Sequence, residues 1–272
     1  MLPMQGLART LFIYSLLAGA ISAQPAATAK ANTPHENLNA VVWMQTSAEY
    51  RASALQTYRA AEACMMRALK DKNWTAALEQ KRPVPDLPPA VILDLDETVF
   101  DNSAFQARLA TTGGTFTSEN WNAWVSEKRA GLVPGAREFL LAAHANGVAP
   151  FYVTNRVCDA NKADDPTVVL LKAHLLPFRP ERLLCKTDTP DKSARRHLVA
   201  AGNRILLLIG DDFNDFITPP VHEQSVNGRF AAVDAYERYW GDRWFILPNP
   251  TYGSWEAAVG RSLGSKWKAL RQ

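Results

Sequence analysis

Cysteine is scarce in this chain of 272 residues: Cys64, Cys158 and Cys185 are the three, and none stands in a CxxC spacing. A thiolate zinc site is thereby excluded. The five histidines also lack ligand spacing: His35 lies near the N-terminus, His144, His174 and His197 fall on predicted helices, and His222 stands apart. Packing or surface roles suit them better than catalysis. Charge of one sign is not concentrated anywhere. Thirty basic and 27 acidic residues leave a net charge of +3, and no basic run offers itself to a nucleic acid polymer. The N-terminal apolar stretch LFIYSLLAGA covers residues 11–20, about half of the ~20 residues a spanning helix needs. No internal repeat is visible.

What is present is a chain that is 47% hydrophobic. That suffices for one large domain, or one with a small appendage, and argues against disorder. Arg9 is the only charge before Lys30, an apolar run follows it, and small residues surround Ala23. This is the layout of a secretory signal peptide over 1–23, with an uncleaved anchor as the alternative. No cysteine stands there to accept a lipid. The expected location is the bacterial periplasm or the exterior, without a stable membrane span after cleavage. An oxidising compartment permits a disulfide. Cys158, just past a predicted strand, and Cys185, closing another, form the expected pair; separate thiols are the alternative.

Residues 24–37 read as a flexible tether. The stretch 38–70 carries apolar residues at helical spacing and predicts one long helix or two shorter ones. KRPVPDLPP (81–89) is a connector that proline keeps out of helix, so 38–89 is an N-terminal helical segment with its linker. From residue 90 to 272, short apolar runs alternate with helical patterns. Strands are predicted at 90–95, 148–153, 182–185, 204–209, 229–233 and 243–247. Helices are predicted at 135–145, 165–175, 191–201, 234–240 and 254–270. Apolar strands followed by helices imply an α/β fold, a Rossmann-like parallel sheet with helices on both faces. Ligands then bind at the carboxyl ends of the strands. Residues 103–134, with TSENWNAWVSEKRA, interrupt the alternation and read as a small helical cap.

Three predicted strands end in polar clusters: AVILDLDETVFDNS (90–103) reaches Asp94 and Asp96, the second strand reaches Thr154, Asn155 and Arg156, and the fourth reaches GDDFND. In a parallel sheet these clusters meet at one edge. Carboxylates so gathered raise one another's pKa unless a cation intervenes, and Mg2+ favours carboxylate and phosphate oxygens. One aspartate can attack an electrophile, and the other, two residues on, can hand a proton to a leaving oxygen. A phosphoryl group suits such a site. Thr154 and a lysine would complete the oxygen cage; Lys192 is the best placed and Lys186 is its rival. Each of these has a plainer reading: a turn or helix cap for the Asp94 and Asp96 pair, a solvated loop for Asp211 and Asp215, a strand-end hydroxyl for Thr154, a surface charge for Lys192.

The ordered set DxDxT, a Thr after the second strand, a Lys, then GDxxxD resembles the haloacid dehalogenase superfamily. LNAVVWMQTSAEYRA, ILDLDETVFDNS, YVTNR, DKSAR, GDDFNDF and LPNPTYGSWE together resemble the bacterial class C acid phosphatases, some of which act as 5'-nucleotidases. The resemblance runs from about residue 38 to the C-terminus. It implies Asp94 as the nucleophile, Asp96 as general acid and base with its backbone carbonyl on Mg2+, and Thr154 as a phosphate-binding residue. It further implies Lys192 as the neutralising lysine, Asp211 as a metal-binding acid, and Asp215 as its partner. Asp212 stands where the family often has an amide, a departure that suggests it faces solvent. Asn155, Trp121, Tyr252 and Trp255 are the expected substrate-binding residues, with core packing as the alternative for the aromatics; Phe100 and Asn102 are candidate wall residues. The implied activity is release of phosphate from a small-molecule monoester, nucleoside 5'-monophosphates included. A phosphotransferase and a non-catalytic storage or binding protein are the alternatives, and a homodimer is the candidate assembly.

Overall fold

A computed structural model describes residues 35–217 and 225–271. The expected signal peptide, most of the tether and His222 lie outside the described residues. The chain opens with two helices, α1 (Leu38–Thr46) and α2 (Ala48–Lys70). They are separate because Ser47 is extended and its hydroxyl accepts from the Tyr50 N–H, which caps α2. On α2 the residues Tyr50, Ala54, Tyr58, Ala61, Met65 and Ala68 recur at intervals of three and four and are all buried. Five of these six, all but Tyr50, join the larger of two core clusters.

The sheet holds β1 (Pro89–Leu93), β4 (Ala149–Val153), β5 (Leu183–Leu184), β6 (Arg204–Gly210) and β7 (Trp244–Ile246) in the order β5-β4-β1-β6-β7, all parallel. Alternation along β1 shows why both faces are covered. Val91 and Leu93 enter the cluster that contains α2, α5 (Ala136–Ala145) and α6 (Pro166–Ala173). Ala90 and Ile92 enter the other, with Val199 of α7 (Ser193–Gly202), Phe216 and Trp244. The first strand is thus central and apolar on both sides, and its continuation emerges at the carboxyl edge as Asp94. α6 starts as its sequence suggests: the Asp165 side chain accepts from the Thr167 and Val168 N–H groups, with Pro166 in the first turn.

Between β1 and β4 the chain inserts β2 (Phe100–Asp101), α3 (Ser103–Thr112), α4 (Ser118–Glu127) and β3 (Gly131–Leu132). β2 and β3 pair as an antiparallel ribbon, and α4 starts on a reciprocal cap between Thr117 and Asn120. Cys158 and Cys185 form a disulfide, while Cys64 is free and buried.

Two expectations are corrected. Residues 229–233 are no strand: they lie inside α8 (Val226–Ala235), capped by Ser225, and the helix expected at 234–240 is divided between the end of α8 and a single turn, Glu237–Tyr239. A short apolar run fits either element, and here the sheet edge goes to β7. The C-terminal helix expected at 254–270 is two short ones, α9 (Ser254–Val259) and α10 (Leu263–Ala269). They part at Gly260, whose φ of 85° is left-handed.

Candidate active site

The loop after β1 sets the first two acids. Asp94 keeps the ladder by donating its N–H to the Ile209 carbonyl (3.0 Å). The chain then turns sharply: the Val99 and Phe100 N–H groups both bond to the Leu95 carbonyl, and Glu97 takes a left-handed φ of 56°. Such a backbone is unfavourable for a residue with a Cβ. Contacts hold it there, since Asn102 N–H donates to Glu97 Oε1 (2.8 Å) and the Tyr252 hydroxyl bonds to Glu97 Oε2. From the core side, Tyr58 of α2 donates to the Thr98 carbonyl (2.6 Å).

β6 delivers Asp211 and Asp215. The strand must end on glycine, because a Cβ at Gly210 would run into the Asp215 side chain. Asp212 caps the tight turn that follows, accepting from Asn214 N–H (2.9 Å) while Asp215 Oδ2 accepts from Asp212 N–H (3.0 Å). Asp212 also accepts from the Ser254 hydroxyl (2.7 Å). Its charge is therefore spent on loop structure rather than left in solvent, where the sequence had suggested it.

Lys192 immediately precedes α7, and its ammonium bonds to Asp94 and to Asp215 Oδ1 (2.6 Å). Of the two rival lysines it is the one on the acids. Asp94, Asp211 and Asp215 each bring a carboxylate oxygen within 4.8 Å of the others. Asp211 also accepts from Thr98 Oγ1 (3.1 Å) and Asn249 Nδ2 (2.9 Å). Burial pushes the Asp94 carboxyl up to about 7 against the pull of Lys192. Burial, then repulsion from Asp94 and Asp215, raises Asp211; burial raises Asp215 as well. Burial disfavours the Lys192 ammonium, but Asp215 and Asp94 outweigh it and its pKa rises. Three acids against one ammonium leave an excess of two negative charges when all are ionised. An all-oxygen donor set with that excess fits a hard divalent cation.

Asp96 is not part of this cluster. Its side chain turns to Arg156, whose Nε donates to Oδ1 (3.0 Å) and Oδ2 (3.1 Å) and whose Nη2 donates to Oδ1 (2.7 Å). Asn102 Nδ2 adds a bond to Oδ1 (2.9 Å). After β4, Thr154 is fully buried; its hydroxyl accepts from Arg156 N–H (3.1 Å) and its carbonyl from the Arg195 guanidinium. Arg195 also donates to Asn155 Oδ1 (2.8 Å) and to the Asp191 carbonyl (2.9 Å), linking the Thr154 loop to the segment that carries Lys192. The Cys158–Cys185 disulfide joins the same two stretches.

The aromatic expectations divide. Tyr252 sits against the first loop through Glu97. Trp121 packs edge-on to Phe105 (5.2 Å) and lies under the Arg156 guanidinium (5.7 Å). Trp255 is 39% exposed, and the Lys266 ammonium lies 6.0 Å from its ring. Phe100 and Asn102 are fully buried, so they support the loop and are not pocket walls. Sequence reasoning missed the parts played by Glu97, Arg195 and Asn249 and gave Arg156 no role, although all four stand in the quoted motifs. Polar residues inside a motif that otherwise reads as strand, turn or helix start were the available signal.

Residues 14–255 match the family described as HAD superfamily, subfamily IIIB (Acid phosphatase). The structure is similar to that of the class C acid phosphatase from Bacillus anthracis, with a TM-score of 0.74 and 30% identity over 88% of this chain and 98% of that one. A second structure, the Bacillus anthracis class C acid phosphatase with tungstate bound, gives 0.75 and 28% over 89% and 99%. Sheet order, strand-end acids and these matches define a haloacid dehalogenase-type enzyme. Within that class the chain belongs to subfamily IIIB, the acid phosphatases, and is a phosphomonoesterase.

Proposed function

We propose that the protein is a secreted, Mg2+-dependent acid phosphatase that works through an aspartyl-phosphate on Asp94 and accepts nucleoside 5'-monophosphates among its substrates. One observation carries this reading: the Lys192 ammonium lies between Asp94 and Asp215 with an Asp211 oxygen in reach of both acids. That arrangement supports a charge system aimed at one point over a solvated loop and a surface lysine.

Asp94 attacks phosphorus as the bond to the ester oxygen breaks, and Asp96 gives that oxygen its proton. Asp96 then takes a proton from water as the water oxygen attacks phosphorus, which frees Asp94 and releases phosphate. Lys192 and Thr154 hold phosphoryl oxygens; Asp94, Asp211 and Asp215 would hold the metal, with the Asp96 backbone carbonyl as the resemblance implies. Bound Mg2+ supplies charge neutralisation for the phosphoryl oxygens. The relative that binds tungstate, an oxyanion, supports a phosphoryl-sized anion site. For secretion, the signal-like N-terminus and the disulfide are the supports. For a nucleotide base, the support is the pair of rings at Tyr252 and Trp255 beside the strand ends.

The test is phosphate release from a monoester, with and without Mg2+, by the wild type and by Asp94→Asn. Equal rates in the two proteins would remove the mechanism. Activity unaffected by chelation would remove the metal. No phosphate release from a nucleoside 5'-monophosphate, with glycerol phosphate hydrolysed, would remove the nucleotide substrates alone.

A further inference from the structure

We propose that Arg156 is a positioning residue for Asp96, anchoring one carboxylate oxygen so that the other faces the reaction, and that the cap aromatics hold Arg156 in place. This rests on Asp96 as the proton donor and acceptor described above. The two oxygens of Asp96 are loaded unequally. Oδ1 accepts from Arg156 Nε and Nη2 and from Asn102 Nδ2, at 3.0, 2.7 and 2.9 Å. Oδ2 accepts from Arg156 Nε at 3.1 Å. An oxygen with three donors has no lone pair to spare for a proton, so Oδ2 is the atom that gives the proton to the leaving oxygen and takes one from water.

Arg156 is itself held from several sides. Its side chain is 2% exposed while that of Asp96 is 17% exposed, so the arginine is the fixed member of the pair. Its guanidinium lies 5.0 Å from the Phe100 ring and 5.7 Å from the Trp121 ring, contacts that favour a cation. Nη2 also reaches Asn102 Oδ1 (3.5 Å), the same oxygen that accepts from Trp124 Nε1 (2.9 Å). Both donors to Asp96, Arg156 and Asn102, are therefore tied to the two tryptophans of α4. A planar fork fixes a carboxylate's orientation where a lysine, a single charged point, would leave it free to turn. A buried guanidinium also needs a partner, and Asp96 supplies it.

The experiment compares kcat/KM, which covers the step in which the leaving group departs, for p-nitrophenyl phosphate and for glycerol phosphate. The aryl oxygen leaves without a proton, and the alkyl oxygen needs one. Arg156→Lys should lose at least about tenfold more on the alkyl ester than on the aryl ester, a part of what general acid catalysis contributes. Added guanidinium should restore part of the alkyl rate to Arg156→Ala. Trp121→Leu, which leaves the ion pair in place, should show the same bias more weakly, and it carries the test if the Arg156 variants do not fold. Asp96→Asn is the reference. If it shows the bias and neither the Arg156 nor the Trp121 variants do, the inference is overturned and the role of Asp96 stands. If Asp96→Asn shows no bias, the proton-transfer reading falls and this inference falls with it.

Discussion

Asp94 and Asp96 are two residues apart on one loop, yet their surroundings differ in kind. Asp94 shares a buried pocket with Asp211 and Asp215 and a single ammonium. Asp96 faces a guanidinium and an amide with no second acid bonded to it. The first site has too little positive charge and calls for a cation; the second is already matched. Identical side chains thus meet different surroundings, which suits the separate tasks of nucleophile and proton carrier that the proposed mechanism gives them.

Substitutions on either side should sharpen that contrast. The largest effect belongs to Asp94→Asn, which removes the proposed nucleophile: kcat should fall on the order of 10⁴-fold or more on every ester alike, read by phosphate release. Next comes Lys192→Met. It leaves the three acids without their ammonium, and kcat should drop by about 10²- to 10³-fold, with a higher Mg2+ occupancy unable to restore it. Asn249→Ala removes the amide that orients Asp211. The Mg2+ concentration for half-maximal activity should rise by about ten- to 100-fold with kcat at saturation little changed; an unchanged Mg2+ requirement would detach Asn249 from the metal. Breaking the disulfide with Cys158→Ala and Cys185→Ala should lower stability by about 3.5 kcal/mol, as expected for a cross-link across a separation of 27 residues, measured by denaturant unfolding. The smallest is Tyr58→Phe, which deletes the bond to the Thr98 carbonyl beneath the first loop. It should cost about 1 kcal/mol of stability and leave the ester preference intact.

Much of the fold was legible because its signals are local. β1 reads as apolar on both faces, Asp165-Pro166 reads as a helix start, and glycine before Asp211 reads as a strand end. The failure at 229–233 has the same root. RFAAV is too short for its period to separate strand from helix, and the choice went to α8 once Trp244–Ile246 took the edge beside β6. The stretch 38–70 read as one long helix or two, and only the structure places the break at Ser47. In the site, the acids stood out because charge at a strand end has few structural excuses, and Lys192 through its place in DKSAR at a helix start. Arg156 and Glu97 did not, and Asn102 was expected as a wall residue, since a buried polar residue is indistinguishable in sequence from an exposed one. Trp121, expected to meet substrate, also has the Arg156 guanidinium against its ring, a contact that local pattern does not show.

By itself the sequence determined which chemistry was available: an ordered series of acids, a threonine and a lysine, each at the end of a segment whose apolar pattern fixed it as strand or helix start. Only the tertiary structure decided how those groups share charge. Whether a carboxylate is crowded by other acids or held by a guanidinium depends on contacts between residues 60 or more positions apart, such as Asp96 with Arg156. Local pattern carries no record of which distant residues meet, and electrostatic energy depends on their separation in space and on how far they are buried.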